Sequence, residues 1–313
     1  MKTAVAVLGA LAISGTIVAI ARAVPPPVPP RQGLVPATLP TYTPIAVGPL
    51  STLSFAIVGD SNPAVANDTA GYPTSIVAKI WQDIQNATPR PAFAIATGDY
   101  INAIPGGPQV TPQFTQWLSL RKGFSNPVYP VMGNHECNGY VTSNCGTGNA
   151  DGVTSNYSSF VSQLLAPIGQ TSPFYSVNVS GAGGAWSAKF VFTACNAWSS
   201  AQSAWLTSTL SKSTTYTFIV QHEDATAPTA PCVSASAAIV AQYPYTLLIT
   251  GHQHIYMRNM SQKSLTVGNG GAPLESGTWY GYVIAQQQAS GQMLFTAYEQ
   301  SANTVMDTFT VSP

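Results

Sequence analysis

The stretch Tyr245-Thr246-Leu247-Leu248-Ile249-Thr250-Gly251-His252-Gln253-His254 decides the fold. It is an apolar run of strand length that stops at a glycine and there delivers two histidines. Four other runs end in a similar way. Residues 54–58 stop at Gly59-Asp60, and 92–96 lead to Gly98-Asp99. Residues 128–132 lead to Gly133-Asn134-His135-Glu136, and 216–220 to Gln221-His222. The chain has only four histidines, and every one falls at such an end. Neutral imidazole and carboxylate are the side chains that bind borderline divalent metals. The placement therefore points to a metal centre.

Between these runs lie helical patterns. Ile76, Val77, Ile80, Trp81 and Ile84 share one face over 73–86, the spacing of an amphipathic helix. Phe114, Trp117 and Leu118 do the same over 112–123, and further helices are expected at 156–166 and 201–211. Additional strands are expected at 173–179, 186–193, 264–268, 278–287, 291–299 and 303–311. Strands alternating with helices predict an α/β domain with substantial parallel pairing. In open α/β sheets ligands bind beyond the carboxyl ends of the strands. One sheet edge is thus expected to gather Asp60, Asp99, Asn134, His135, His222, His252 and His254.

Composition narrows the function. The 313 residues carry no formal net charge, and only 7% are charged. This excludes the basic footprint of a nucleic-acid-binding surface. With eleven acidic residues in all, five of them (Asp60, Asp99, Glu136, Glu223 and Asp224) in the runs above are informative. Asp68, Asp151, Glu223 and Asp224 read as solvent or loop charges. Glu223 and Asp224 have a second reading, as support behind His222.

Residues 1–23 read as a signal peptide. Lys2 precedes an apolar stretch over 3–20, followed by the small-x-small pattern Ala21-Arg22-Ala23. An uncleaved membrane anchor at 3–20 is the alternative, since the stretch approaches spanning length. Either reading places the folded part outside the cytoplasm, in a periplasmic or extracellular space. Residues 24–50, rich in proline, are expected to be an extended spacer, with the folded domain over 51–313. Four cysteines fit an oxidising compartment. Proximity favours Cys137 with Cys145, leaving Cys195 with Cys232, although sequence alone allows three connectivities.

Asp60, Asn62, Asp99, Asn134, His222, His252 and His254 are too many ligands for one open catalytic metal. They suit two metals sharing a carboxylate, which can hold a water between them and clamp a phosphate. At this point the chain resembles the calcineurin-like metallophosphoesterase superfamily. Its blocks appear in order as Gly59-Asp60-Ser61-Asn62, Gly98-Asp99, Gly133-Asn134-His135-Glu136, Val220-Gln221-His222 and Gly251-His252-Gln253-His254. The continuation Ile255-Tyr256-Met257-Arg258 is similar to the purple acid phosphatase branch.

The resemblance implies two mixed β-sheets packed as a sandwich flanked by helices, with a dinuclear site at strand C-terminal ends. It implies two divalent or trivalent ions (Fe, Mn or Zn). Asp99 would bridge them, Asp60 and His254 would bind the first, and Asn134, His222 and His252 the second. His135 would be the unligated catalytic histidine, with Glu136 placed to orient it. The implied activity is hydrolysis of phosphate monoesters, on phosphorylated small molecules, by a metal-activated hydroxide. A phosphodiesterase or nucleotidase is the alternative, and so is a weakly catalytic ligand-binding or metal-binding relative. Two departures bear on the first metal. Purple acid phosphatases carry a tyrosine ligand three residues after the bridging aspartate, where this chain has Asn102. Other branches carry histidine two residues after the first aspartate, where this chain has Asn62. Arg258 reads equally as a phosphate neutraliser or a loop brace.

Overall fold

A computed structural model describes residues 42–224, 227 and 229–313. The signal or anchor segment at 1–23 and most of the proline-rich spacer lie outside the described residues. Among the described residues, thirteen strands form two mixed sheets. The first contains β1 (Ile45–Leu50), β5 (Tyr175–Gly181), β6 (Ser187–Phe192), β7 (Tyr216–Val220), β8 (Leu247–Thr250), β10 (Ser264–Val267) and β9 (Tyr256–Asn259), in that spatial order. The second runs β13 (Thr304–Val311), β12 (Met293–Glu299), β11 (Gly281–Gln287), β2 (Ser54–Val58), β3 (Phe93–Ala96) and β4 (Val128–Pro130). β6, β7, β8 and β10 are parallel, as are β2, β3 and β4. The tail strands β11, β12 and β13 pair antiparallel and join β2 from the other side.

The two sheets pack face to face through aromatic rings. Phe55 of β2 meets Phe190 of β6 and Phe218 of β7 edge-on, with centroids 4.9 and 5.2 Å apart. Phe93 of β3 meets Phe190 at 5.2 Å. Such edge-to-face pairs add about 0.5–1.5 kcal/mol each beyond the area they bury. Both faces of β2 and β3 are covered, so every residue of these strands is buried. That is why they read as continuous apolar runs rather than alternating ones.

Helices cover the outer faces. α1 (Thr74–Asn86) buries Val77, Ile80, Trp81 and Ile84, and Trp81 packs edge-on to Trp117 of α2 (Val110–Arg121). α3 (Ser155–Phe160) starts under a side-chain cap, the Thr154 hydroxyl accepting from the Tyr157 N–H. It runs on into a π turn and a 3-10 turn that stop at Gly169. α4 (Ser200–Leu210) and α5 (Val233–Val240) lie over the first sheet, where Trp205, Leu206, Leu210 and Val240 pack with Val191 and Ile219. The layers are thus helix, sheet, sheet, helix.

Two sequence expectations need correction. The fold takes in residues 45–50, read as the end of the spacer. They form β1, which pairs parallel with β5 in register from Ile45 with Val177. Proline at 49 is tolerated because β1 is an edge strand. Secondly, the strand-end pattern put the donors on one sheet edge, but the strand ends belong to the two mixed sheets that the resemblance implies. β2, β3 and β4 lie in one sheet and β7 and β8 in the other, with their carboxyl ends on the same side of the sandwich. Both expected disulfides, Cys137–Cys145 and Cys195–Cys232, are formed. No helix among the described residues is long and apolar enough to cross a membrane.

Candidate metal centre

Three of the five strand ends turn their donor inward by leaving the extended conformation. Asp60, Asp99 and His252 have φ of 55°, 53° and 69°. Non-glycine residues adopt this left-handed region rarely and at a cost of order 1–3 kcal/mol, and such strain clusters at functional sites. The turns are bonded to one another, mostly within each sheet and between the sheets through His252 and Asp60. The Asp60 N–H donates to the Gly98 carbonyl at 3.2 Å, and the Ser61 N–H to the Asp99 carbonyl at 3.0 Å. The His252 N–H reaches both Asp60 oxygens, at 3.0 and 3.1 Å. The Gly251 N–H donates to the His222 carbonyl at 2.9 Å.

Two glycines make this closeness feasible. Gly98 has φ 110°, and a Cβ there would lie 2.5 Å from His222 Nδ1. A Cβ on Gly133 would lie 2.2 Å from Asp99 Oδ1. The glycines of the sequence blocks are thus clearance for neighbouring donors.

The imidazoles are held by backbone carbonyls. His222 Nδ1 is 2.7 Å from the Thr97 carbonyl, and His254 Nδ1 is 2.7 Å from the Pro273 carbonyl. A carbonyl only accepts, so both Nδ1 atoms carry the proton. A neutral ring then turns the Nε2 lone pair inward, the arrangement that orients metal-ligating histidines. His222 Nε2 is 3.1 Å from Asp99 Oδ2 and 3.2 Å from Asn134 Oδ1. His252 Nδ1 is 3.1 Å from that same Asn134 oxygen. The Asn134 amide is oriented by its Nδ2, which donates to the Gly139 carbonyl at 2.8 Å. His254 Nε2 lies 3.8 Å from Asp60 Oδ1. On a neutral His222, three acceptor atoms (Nε2, Asp99 Oδ2 and Asn134 Oδ1) converge with no hydrogen among them. A cation resolves that arrangement. The donor atoms form two groups, Asp99 with His222 and His252, and Asp60 with Asp99 and His254. Within each the atoms lie within 4.8 Å of one another. Asp99 belongs to both groups.

Electrostatics agree with a cation site. Burial works to lower the His222 imidazole, but Asp99 and then Asp60 outweigh it and hold it well above its usual range. Burial works to raise the Asp99 carboxyl, and His222 and His135 overcome it, so it sits below the usual carboxylate range. Asp60 is raised by burial, with Asp99 adding to it against His222. Burial and then His222 push His252 down to about 4. Positive charge at the centre of this cluster is what the carboxylates favour.

The remaining expected residues sort themselves. His135 is in neither donor group; it is half-buried, and its N–H donates to Asp99 Oδ1 at 3.1 Å. Glu136 does not orient His135. Its carboxylate accepts from the N–H groups of Asp99, Tyr100 and Gly133, each at 2.9 Å, and so clamps the turns after β3 and β4 together. Asn62 is buried, and its Oδ1 bonds to no protein group. Asn102 spends its side chain on the backbone, Nδ2 donating to the Pro63 carbonyl at 3.1 Å. Tyr100 points away, its hydroxyl between the Ala96 and Val131 carbonyls. Arg258 pairs with Asp307 at 3.0 Å and lies over the Phe309 ring, so it braces the tail. Glu223 and Asp224, read as solvent or loop charges, are buried instead. They directly follow the donor His222.

Sequence reasoning missed Asn156, fully buried on α3. Its Nδ2 donates to the His135 carbonyl at 3.0 Å and to the Ala103 carbonyl at 2.8 Å. It also missed the Thr97 and Pro273 carbonyls, because a backbone acceptor leaves no mark in the residue type.

A model of the calcineurin-like phosphoesterase family matches residues 53–256. That span takes in all five strand ends, and the chain belongs to this family. No curated protein sequence matches it. Among solved structures it is similar to a purple acid phosphatase from yellow lupin (Lupinus luteus) seeds, with TM-score 0.59 and 16% identity over 84% of this chain. The chain spans about half, 54%, of that protein's length. It is also similar to a dimetal phosphatase from Danio rerio (TM-score 0.54, 14% identity, 83% of this chain and 98% of that one). A third similar structure is GAP50, the anchor in the inner membrane complex of Plasmodium (TM-score 0.56, 14% identity, 84% and 89%). At these identities the likeness is one of fold. Family membership and the donor groups together support a metal-dependent phosphoesterase.

Proposed function

We propose that this protein is an exported phosphoesterase with two metal ions, Fe, Mn or Zn, that hydrolyses phosphate monoesters of small molecules. The observation that carries this reading is the sharing of Asp99 between two donor groups. Asp60 and His254, with the buried Asn62 of the same sequence block as Asp60, would hold the first ion. Asn134, His222 and His252 would hold the second, with Asp99 common to both sets. Two such ions lower the pKa of a coordinated water and neutralise phosphoryl oxygens. The two disulfides fit export, since such bonds persist in oxidising compartments.

The protein's own residues do the rest. Glu136 and the left-handed turns hold the donors at short range without needing to reorganise. His135 has its backbone fixed from two sides, by Asp99 and by Asn156, while its imidazole is left outside the donor groups. It is the group that donates a proton to the departing alkoxide. With Asn102 committed to Pro63, the first ion has the poorer protein ligand set.

The test is hydrolysis of aromatic phosphate mono- and diesters by the wild type, His135→Ala and His252→Ala, with metal counted by elemental analysis. Loss of the general acid lowers kcat by about 10²–10⁴ with metal retained, whereas His252→Ala loses metal as well. Equal rates in all three proteins would remove the assignment. A faster diester than monoester reaction would move the protein to the phosphodiesterase reading.

A further inference from the structure

The Asn134 amide is a demanding donor, because its oxygen faces the ion only if the amide is turned one way round. A flip would aim its NH2 at His222 and His252 instead. The partner that selects the orientation is the Gly139 carbonyl, which accepts from Nδ2 at 2.8 Å. Gly139 lies in the loop closed by the Cys137–Cys145 disulfide. The loop is tied to Asn134 at its start, where the N–H groups of Cys137 and Gly139 donate to the Asn134 carbonyl at 3.0 and 2.9 Å. On its far side Asn144 is held by Trp198, whose carbonyl accepts from Nδ2 at 3.2 Å, and Asn149 Nδ2 donates to the Cys145 carbonyl at 2.7 Å. The residue that bonds three separate loop positions is Asn196. Asn196 Nδ2 donates to the Val141 carbonyl at 2.9 Å and to the Ser143 carbonyl at 3.0 Å. Its own carbonyl accepts from the Cys145 N–H at 2.6 Å. Asn196 is fully buried and adjoins Cys195, whose disulfide to Cys232 anchors it.

We propose that Asn196 is a positioning residue for the metal centre, fixing the Asn134 amide through the disulfide-closed loop. The inference rests on Asn134 being a metal ligand, as in the function proposed above. The loop's ties to Asn134 and Asn196 end on backbone carbonyls, with one longer contact from Asn196 Nδ2 to the Ser143 hydroxyl at 3.5 Å. None involves a charged group, so the loop transmits position and not charge. An amide oxygen is a weak ligand to a borderline metal, and the second ion therefore depends on that oxygen being held in place. The first ion, on Asp60, Asp99 and His254, uses nothing from the loop. Loosening the loop should weaken one site and spare the other. A purely structural role for Asn196 would weaken both alike.

The experiment resolves the two sites by Mn²⁺ titration, followed by calorimetry and electron paramagnetic resonance. His254→Ala leaves the Asn134 side as the only complete site, and His252→Ala leaves the Asp60 side. Adding Asn196→Asp keeps the volume but puts an oxygen where Nδ2 met two carbonyls. The expected result is Mn²⁺ affinity lowered roughly ten- to hundredfold in the His254→Ala background, the range for losing an outer partner. The His252→Ala background should be unchanged. Equal losses in both backgrounds, or none in either, would overturn the proposal. Should Asn196→Asp not fold, reducing both parent proteins with a phosphine makes the same comparison, with circular dichroism confirming the fold. Reduction that spares the His254→Ala protein would overturn it equally. Failure of the functional reading looks different: the wild type itself would bind fewer than two ions, and the positioning role would fall with it.

Discussion

Replacing Gly98 by alanine should damage the centre more than any exposed glycine replacement. Gly98 holds φ 110°, and an added Cβ would sit 2.5 Å from His222 Nδ1 and 3.0 Å from the Gly133 N. A side chain at such a φ costs about 1–3 kcal/mol. The ring must also move, breaking the 2.7 Å bond from His222 to the Thr97 carbonyl. Leaving that buried carbonyl unpaired costs about 1–3 kcal/mol more. The sum, about 2–6 kcal/mol, corresponds to a thermal midpoint lowered by roughly 5–20 °C for a domain of this size. Gly106 is the control. It has φ 79° but nothing within 4 Å of a built Cβ, so alanine there pays only the backbone cost of about 1–2 kcal/mol. Urea unfolding of the metal-free proteins measures the difference, and ¹⁵N NMR reports whether His222 Nδ1–H keeps its bond to the Thr97 carbonyl. A Gly98→Ala protein as stable as Gly106→Ala, with that bond intact, would refute the clearance argument.

In the metal-free protein the two buried histidines should act on stability in opposite senses. His222 is raised, so its contribution is complete below its unfolded pKa of about 6.5 and is lost as pH rises through its folded value. His252 is held down to about 4, so its contribution is complete above the unfolded pKa and is lost as pH falls toward 4; histidine NMR titrations beside urea melts would show both. Because the His222 proton must leave, metal affinity should fall with falling pH, and calorimetry in buffers of different ionisation enthalpy counts the released proton. Glu136→Gln should cost about 1–3 kcal/mol in urea unfolding, since an amide oxygen cannot replace both carboxylate oxygens and one N–H is left unpaired. Arg258→Ala should lower stability by no more than about 1 kcal/mol. It should change kcat/KM by less than about threefold, because the residue touches neither donor group; a large activity loss would return Arg258 to the phosphate.

Much of this arrangement was legible in the residues, for physical reasons. Strands β2, β3, β7 and β8 are almost wholly buried, so they appear as unbroken apolar runs, and their donors follow at once. β1 was hidden because Pro49 and the prolines before the strand mimic a spacer, while its edge position makes proline harmless. α5 was hidden because Val-Ser-Ala-Ser-Ala-Ala-Ile-Val has no apolar periodicity. The seating of β11 beside β2 is a pairing between residues more than two hundred positions apart that no local pattern encodes. The donors were legible and their supports were not. Thr97, Pro273 and Gly139 act through carbonyls that every residue possesses. Asn156 and Asn196 act through amides whose burial depends on the finished fold. Glu136 was found, but its task was misjudged, because sequence adjacency to His135 says nothing about which backbone N–H groups surround a carboxylate.

The central claim is that Asp99 is shared by two cations. Anomalous diffraction from crystals grown with Mn²⁺ tests it most directly. The account predicts two anomalous peaks per chain, one among Asp99, Asn134, His222 and His252, and one among Asp60, Asp99 and His254. A single peak at saturating Mn²⁺, or peaks away from Asp99, would contradict it.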